Sequence, residues 1–312
     1  MKLISFVFSF RNEEKNLNEL VQRVAKAMQK TNNYEYELIF VNDNSDDGSE
    51  QLLEKLQNDF PIKIINMTRV FGVTPCTLAG FKHSKGDCII YMDSDLQDPP
   101  EIIPDLIKEY EKGNDVVHTV RTKRLGESGI KMAVTSLAYK MINFLSDTPL
   151  PYNAGDFKLI SRKAMEKMLQ QKDFRPYIRG LSVWVGYKQS QVNYVRQPRG
   201  SGKTKFSLFS AAPATEFIVG ITSNSLKPLY LGIILGFLSI IFSIALILFA
   251  LYAKFSNFAV PGSTSVIITV SFFSGILLFT LGVIGIYIAR IFEQTRGREN
   301  YIIKDIKDLK KK

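Results

Sequence analysis

Short apolar runs alternate with longer amphipathic stretches along residues 1–225. The short runs are rich in Ile, Val and Phe, which is typical of strands, while the stretches between them repeat apolar residues at helical spacing. This alternation predicts βαβ units, and therefore an α/β fold with a mainly parallel sheet covered on both faces. The predicted strands are Leu3–Phe10, Glu37–Asn42, Ile62–Met67, Cys88–Met92 and Asp115–Val120, and the predicted helices are Glu13–Thr31, Ser49–Asp59, Pro75–Ser84 and Pro100–Lys112.

Two segments near the C-terminus are far more apolar than the rest of the chain. Neither Leu229–Leu251 nor Val266–Ala289 contains a charged residue. Each is long enough, at about 1.5 Å per residue, to cross a hydrocarbon core of about 30 Å as a helix. Two buried helices of a large soluble core are the alternative, but uncharged stretches of this length favour two transmembrane helices.

The charges that flank these segments predict their orientation. Lys254 is the only positively charged residue in the connecting loop, whereas the segment after Ala289 is rich in Lys and Arg. Because positive residues stay in the cytoplasm, we expect both the α/β domain and the C-terminal tail on the cytoplasmic side of the inner membrane. The N-terminus is more typical of a first strand than of a signal peptide. The predicted organisation is an α/β domain (1–205), interfacial juxtamembrane helices (206–228), two spans (229–251 and 266–289) around an external loop (252–265), and a basic tail (290–312).

Charge and composition exclude other classes of partner. The formal net charge of +10 suits an anionic inner leaflet. No nucleic-acid-binding motif accompanies that charge, so no nucleic acid is expected. Cys76 and Cys88 lack metal-ligand spacing and suit a reducing compartment. The spacing of Gly282 and Gly285 allows close helix packing and so a homo-oligomer.

Three polar clusters follow predicted strands, at Arg11–Glu14, Asn42–Ser49 and Asp93–Asp98. Ligands of such sheets bind beyond the carboxyl ends of the strands, so we expect the clusters to converge there. The second cluster has a plainer alternative, because Asp and Ser residues of this kind also form turns that lead into a helix N-cap.

The third cluster, in the sequence YMDSDLQDPPE, concentrates negative charge. Residues two apart in an extended segment point the same way, so Asp93, Asp95 and Gln97 can present three oxygens to one point. A divalent cation there would relieve the repulsion between the carboxylates. Mg²⁺ or Mn²⁺ held by few protein ligands keeps positions open for substrate phosphates, so the pattern predicts a metal–diphosphate site.

Six motifs follow one another along the chain, namely FRNEE, VNDNSDDGS, YMDSDLQDPPE, NAGDFKLISRKAM, YIRGLSVWVGYKQ and RQPRGSGKTKF. Taken together, they resemble family 2 glycosyltransferases with a GT-A fold. Within that family the chain is similar to polyprenyl-phosphate glycosyltransferases, namely dolichol-phosphate mannose synthase and bactoprenol glucosyltransferases with two C-terminal spans. Two departures affect nucleotide contacts: VNDNS stands where VDDGS is usual, and VFGV where NFGH often follows the third strand.

The resemblance implies an enzyme that moves a hexose from a UDP-sugar, UDP-glucose above all, to undecaprenyl phosphate with Mg²⁺ or Mn²⁺. It implies catalytic roles for Asp156, Asp93 and Asp95. The implied nucleotide-binding residues are Phe10, Asn12, Glu14, Asp43 and Asp93, the implied metal ligands are Asp93, Asp95 and Gln97, and the implied acceptor-phosphate residues are Arg121, Arg124, Arg199 and Lys203.

Several alternatives stay open at this point. Asp156 either orients the acceptor phosphate or acts as a general base. Other sugars, including N-acetylglucosamine, galactose, mannose or an amino sugar, would use the same reaction. A processive polysaccharide synthase would share the donor site, although Trp184 does not lie in the Gln-x-x-Arg-Trp motif typical of that class. A non-enzymatic membrane scaffold is a further alternative, but that class of protein gives no reason for the acidic clusters.

Overall fold

The computed structural model describes residues 1–31, 33–124, 140–141, 143–145, 151–171, 173–174, 176–197, 222, 225–256 and 262–308. The chain divides into two compact units. The first unit comprises residues 1–144, 148–220 and 299–312, and the second comprises residues 145–147 and 221–298.

An eight-stranded mixed sheet forms the first unit in the part of the chain that the structure describes. The strands are β1 (Lys2–Phe10), β2 (Tyr34–Asn42), β3 (Ile62–Met67), β4 (Cys88–Asp93), β5 (Val116–Arg124), β6 (Ala154–Ser161), β7 (Gln189–Arg196) and β8 (Ile303–Asp308). They lie in the order β7-β5-β6-β4-β1-β2-β3-β8. The pairs β1/β2, β1/β4, β2/β3 and β5/β7 are parallel, whereas β4/β6, β5/β6 and β3/β8 are antiparallel.

Helices cover both faces of this sheet. Successive residues of a strand point to opposite faces, so Phe6 and Phe8 lie in one buried cluster while Val7 lies in the other. The helices are α1 (Glu14–Met28), α2 (Ser49–Leu56), α3 (Val73–His83), α4 (Ile103–Glu111, after a 3₁₀ turn at Pro100–Ile102), α5 (Arg162–Gln170) and α6 (Ile178–Trp184). One cluster is closed by α1, α2 and α4, and the other by α3, α5 and α6.

The α/β architecture and the five predicted strands are confirmed. The strands β6, β7 and β8 were not predicted, and β8 lies in the segment expected to be only a basic tail. β8 pairs with β3, so the chain returns to the sheet after the second unit.

The second unit contains two long apolar helices, α7 (Lys227–Phe255) and α8 (Ser263–Thr295). They pack antiparallel: the rings of Phe242 and Phe272 are 5.5 Å apart, and Tyr287 donates a hydrogen bond of 2.7 Å to the carbonyl of Ser225. Many of their apolar side chains are exposed. Lys227–Ala253 and Ile268–Thr295 are long and apolar enough to cross a membrane, by length and composition. Most of the predicted interfacial segment 206–228 lies outside the described residues.

Candidate active site

The carboxyl ends of β1, β2 and β4 bring the three polar clusters together. Phe10 pairs with Asn42 across β1 and β2, and Ser9 pairs with Asp93 across β1 and β4. Because these strands are parallel, the segments that follow them leave the same edge of the sheet. The convergence expected from the sequence is therefore observed.

Hydrogen bonds join the loop after β1 to the loop after β2. The Asn12 side chain donates to Asp46 Oδ1 at 2.5 Å and accepts from the Asp46 amide at 3.0 Å. The Asn12 amide donates to Ser45 Oγ at 3.0 Å, and the Gly48 amide donates to Glu14 Oε2 at 3.3 Å. Asn12 and Glu14, both predicted to bind the nucleotide, thus also fix the shape of the second loop.

Asp43 holds a third segment of the site. Its carboxylate accepts hydrogen bonds from the amides of Phe71, at 2.7 Å, and Gly72, at 3.0 Å. Gly72 has a φ of 95° and precedes α3. Asp43 therefore secures the loop between β3 and α3, and does not cap α2. Phe10 was also predicted to bind the nucleotide, but its ring is buried in the core against Phe40.

Left-handed backbone conformations mark the motif loops. The described non-glycine residues with positive φ are Asn12 (56°), Asn44 (56°), Leu96 (62°) and Asn153 (60°), and each lies in one of the motifs quoted above or directly at its start. Asn adopts this region readily, but Leu does so at a cost in backbone energy. Such strain persists where the surroundings fix the backbone, and it clusters at functional sites.

The predicted metal ligands lie at the end of β4 and just beyond it. Asp93 and Asp95 are half-buried. Burial, together with the negative charges of Asp156, Asp98 and Asp95, raises the pKa of Asp93 to about 7. The positive charge of Arg121 offsets only part of this effect, so the site fits a divalent cation.

Three observations qualify this donor set. The Oε1 atom of Gln97 accepts a hydrogen bond of 2.7 Å from Arg196 Nη2, so one predicted ligand already has a protein partner. No group of three or more His, Cys, Asp or Glu side chains in the described part of the chain has the geometry of a metal site. Asp95 has a protein partner as well, since its Oδ1 accepts a hydrogen bond of 3.1 Å from the Gln97 amide. A carboxylate has further lone pairs, so Asp93 and Asp95 can still act as ligands, as is usual for Mg²⁺ held by one or two carboxylates and water.

Asp156 lies on β6 and forms an ion pair with Arg179 of α6. Arg179 donates from Nε to Asp156 Oδ1 at 2.7 Å and from Nη2 to Oδ2. Although burial opposes ionisation, the charge and hydrogen bonds of Arg179 hold the pKa of Asp156 well below its usual range. Lys158, two residues along the same face, donates to Ser182 Oγ at 3.1 Å, and burial lowers its pKa to about 8. The carboxylate of Asp156 is therefore ionised between positive neighbours.

Asp98 forms the centre of a buried cluster behind the acidic loop. Its side chain accepts a hydrogen bond from the Tyr194 hydroxyl and lies 3.7 Å from Arg121 Nη2 and 3.8 Å from Arg196 Nε. Arg121 also donates from Nε to Tyr194 Oη at 2.8 Å. The cluster ties the loop after β4 to strands β5 and β7.

The structure describes only two of the four residues predicted to bind the acceptor phosphate, and it places them differently. Arg121 is buried in the Asp98 cluster, so its described contacts are with protein groups. Arg124 ends β5. Arg199 and Lys203 lie outside the described residues. Their binding of an acceptor phosphate stays a prediction.

Sequence reasoning assigned no role to Arg179, Tyr194 or Arg196, and it named Asp98 only as a member of the acidic cluster Asp93–Asp98. Arg179 lies within the quoted motif YIRGLSVWVGYKQ, and that motif was the available signal. Nothing in the sequence indicated that Tyr194 and Asp98 would be partners.

Comparison with known proteins identifies the family. Residues 5–169 match the glycosyl transferase family 2 model. The chain belongs to this family and is a glycosyltransferase, which confirms the resemblance seen in the motifs. It is similar to a Bacillus subtilis (strain 168) protein named uncharacterized glycosyltransferase YkcC, with 39% identity over 302 residues, 96% of this chain and 93% of that protein. It is also similar to the bactoprenol glucosyl transferase of Shigella phage SfV, with 34% identity over 312 residues, 97% of this chain and 99% of that protein.

Among solved structures, the glucosyl-3-phosphoglycerate synthase of Mycobacterium tuberculosis, in complex with Mn²⁺, UDP and phosphoglyceric acid, has a TM-score of 0.47 to this chain. The two sequences are 19% identical, and the match covers 70% of this chain and 76% of that one.

Proposed function

We propose that this glycosyltransferase transfers a hexose from a UDP-sugar, with UDP-glucose as the donor, to polyprenyl phosphate at the cytoplasmic face of the inner membrane. The observation that carries the proposal is the similarity to a bactoprenol glucosyl transferase over 97% of the chain, which includes both apolar helices as well as the α/β domain. Undecaprenyl phosphate is the acceptor we propose. The product would be a lipid-linked sugar for modification of the cell envelope.

The donor is proposed to bind at the carboxyl edge of β1, β2 and β4. Asn12, Glu14 and Asp43 order the loops around the nucleotide through the contacts described above. Asp93 and Asp95 would hold Mg²⁺ or Mn²⁺. When bound, the cation would offset the negative charge of the departing diphosphate.

Asp156 is proposed to orient the acceptor. A lipid phosphate is already ionised at neutral pH, so the reaction needs positioning of two anions more than removal of a proton. The Asp156 carboxylate paired with Arg179 is a weak base, because Arg179 stabilises its charged form. These contacts favour an orienting role over general-base catalysis.

The two apolar helices are proposed to anchor the enzyme as a hairpin in the membrane. A long prenyl chain would then stay in lipid while its phosphate reaches the catalytic domain. Arg124, Arg199 and Lys203 are proposed to attract that phosphate, and Arg121 to hold the acidic loop in place through Asp98.

The proposal is tested by product analysis on membranes that contain the enzyme. Membranes are incubated with undecaprenyl phosphate, Mg²⁺ and one radiolabelled donor at a time: UDP-glucose, UDP-N-acetylglucosamine, UDP-galactose or GDP-mannose. We expect label from UDP-glucose in the lipid extract. Asp95→Ala should lower this transfer at least about a hundredfold, and so should a chelator, because charge stabilisation of the leaving group is lost.

The controls separate the alternatives. Asp105→Ala removes an exposed carboxylate whose described ion pair is with Lys108 of the same helix α4, and should leave transfer unchanged. Label in the lipid extract from a different donor would replace glucose in the proposal. Label in a water-soluble polymer would favour a processive synthase. Full activity in the presence of a chelator would show that transfer needs no divalent cation.

A further inference from the structure

The C-terminal strand β8 completes the sheet beside the loops proposed to bind the donor. It runs antiparallel to β3, with Asn66 opposite Asp305 and Ile64 opposite Lys307. The side chain of Gln57, at the end of α2, donates to the Lys307 carbonyl at 3.0 Å. β8 therefore contacts both β3 and the segment that follows α2.

A line of side-chain hydrogen bonds runs from β8 to the loop after β2. Asn66 Nδ2 donates to Asp305 Oδ1 at 2.8 Å, and Asn66 Oδ1 accepts from Asn42 Nδ2 at 3.0 Å. Asn42 Oδ1 in turn accepts from the Ser45 amide at 2.9 Å. Asn42 and Asn66 are both buried. Since a buried amide needs its partners, each side chain in the line fixes the orientation of the next.

The same strand supplies a counter-charge. Asn66 Nδ2 also donates to Glu50 Oε1 at 2.8 Å, which brings Glu50 and Asp305 to one amide group. Lys307 of β8 donates from Nζ to Glu50 Oε1 at 2.6 Å and to Glu54 as well. Burial opposes ionisation of Glu50, but Lys307 and Asn66 lower its pKa. β8 thus contributes both an acceptor for Asn66 and the cation that allows Glu50 to lie nearby.

We propose that β8 is part of the donor-binding half of the enzyme, and that Asp305 is a positioning residue for the loop that carries Asn42 and Asp43. Asp305 holds the Asn66 amide in the orientation that accepts from Asn42, and Asn42 then anchors the Ser45 amide. Without this line the loop would sample other conformations, and UDP would have to order it on binding. The inference rests on the proposed function, because it presumes that UDP binds beside this loop.

The test measures UDP binding by full-length enzyme in detergent, by calorimetry, at a temperature where every variant is folded. Asp305→Ala should raise the Kd for UDP about two- to tenfold, the change expected for one lost hydrogen bond. Asp305→Asn keeps an oxygen that can accept from Asn66 and should bind UDP nearly as tightly as wild type. Lys304→Ala is the matched control, because Lys304 is an exposed residue of the same strand.

A kinetic measurement separates positioning from general destabilisation. In Asp305→Ala the KM for the sugar nucleotide should rise by a similar factor, while the KM for the lipid phosphate stays as in wild type. An unchanged Kd for UDP in Asp305→Ala would overturn this inference alone, and so would equal weakening in Asp305→Asn and Asp305→Ala. Failure of the wild-type enzyme to bind UDP would overturn the proposed function together with the inference.

Discussion

Asp156 and Arg179 neutralise each other at the centre of the candidate site. The two side chains come from β6 and α6, and both carboxylate oxygens of Asp156 accept from Arg179. An ion pair with two parallel hydrogen bonds fixes the plane of the carboxylate as well as its charge. This geometry suits a group that presents a fixed charge and orientation to an acceptor.

Substitution of both partners tests this interpretation. Asp156→Asn should bind UDP as wild type does, because the loops proposed to hold the nucleotide are untouched, yet lower kcat at least about a hundredfold. Arg179→Gln should also lower kcat. If Arg179 acts by holding Asp156, the double variant should be hardly slower than the slower single variant, as expected for coupled residues.

The matched control for charge removal is Arg23→Gln, which breaks an exposed ion pair between α1 and Glu101 of the 3₁₀ turn before α4. It should leave kcat unchanged. Effects of Asp156→Asn and Arg179→Gln that multiply in the double variant would show that Arg179 acts independently of Asp156.

Close packing of α3 on the sheet is set by Gly80. A Cβ atom at this position would lie 2.3 Å from Val7 Cγ1 and 3.3 Å from Val41 Cγ2. Both valines are fully buried, so neither can move into solvent. α3 therefore approaches β1 and β2 at a distance that only glycine permits.

Gly80→Ala should lower the midpoint of thermal unfolding by several degrees, since overpacking of a core costs about 1–3 kcal/mol. The double variant Gly80→Ala/Val7→Ala removes the clashing methyl groups and should be more stable than the sum of the two single changes predicts. The stability of each variant is measured by thermal unfolding in detergent. Additive losses of stability would show that the clash with Val7 does not cause the destabilisation by Gly80→Ala.

Strands β1 to β5 could be predicted from the sequence because each contains a short apolar run. Strand β6 (AGDFKLIS) could not, because Asp156 and Lys158 interrupt its apolar residues, and neither could the edge strands. β7 (QSQVNYVR) and β8 (IKDIKD) carry polar residues along most of their length, as edge strands exposed to solvent commonly do. The same limit applies to the site: Asp93 and Asp156 were found from local motifs, whereas the Asp98–Tyr194 contact joins residues distant in sequence and depends on how β4, β5 and β7 come together.

For the molecule as a whole, the course of the chain bears on membrane topology. Residues 221–298 make up most of the second unit, and the segments that directly precede and follow them belong to the first. β8 is hydrogen-bonded to the same sheet as β1–β7, so the chain must return to the compartment that holds this sheet. Only an even number of membrane crossings would satisfy that condition, and the proposed hairpin of α7 and α8 would make two crossings.

Labelling of introduced cysteines measures this topology directly. In intact cells, or protoplasts where a wall intervenes, Ser256→Cys at the end of α7 should react with a membrane-impermeant thiol reagent. Glu299→Cys, at the start of the segment that leads to β8, should react only after permeabilisation, because it belongs to the unit that holds the sheet, which we propose faces the cytoplasm. The native Cys76 and Cys88 are fully buried, so the wild-type protein should give little background and serves as the control. Labelling of Glu299→Cys in sealed cells would reverse the orientation, and protection of both introduced cysteines until permeabilisation would show that the two apolar helices do not cross the bilayer as a hairpin.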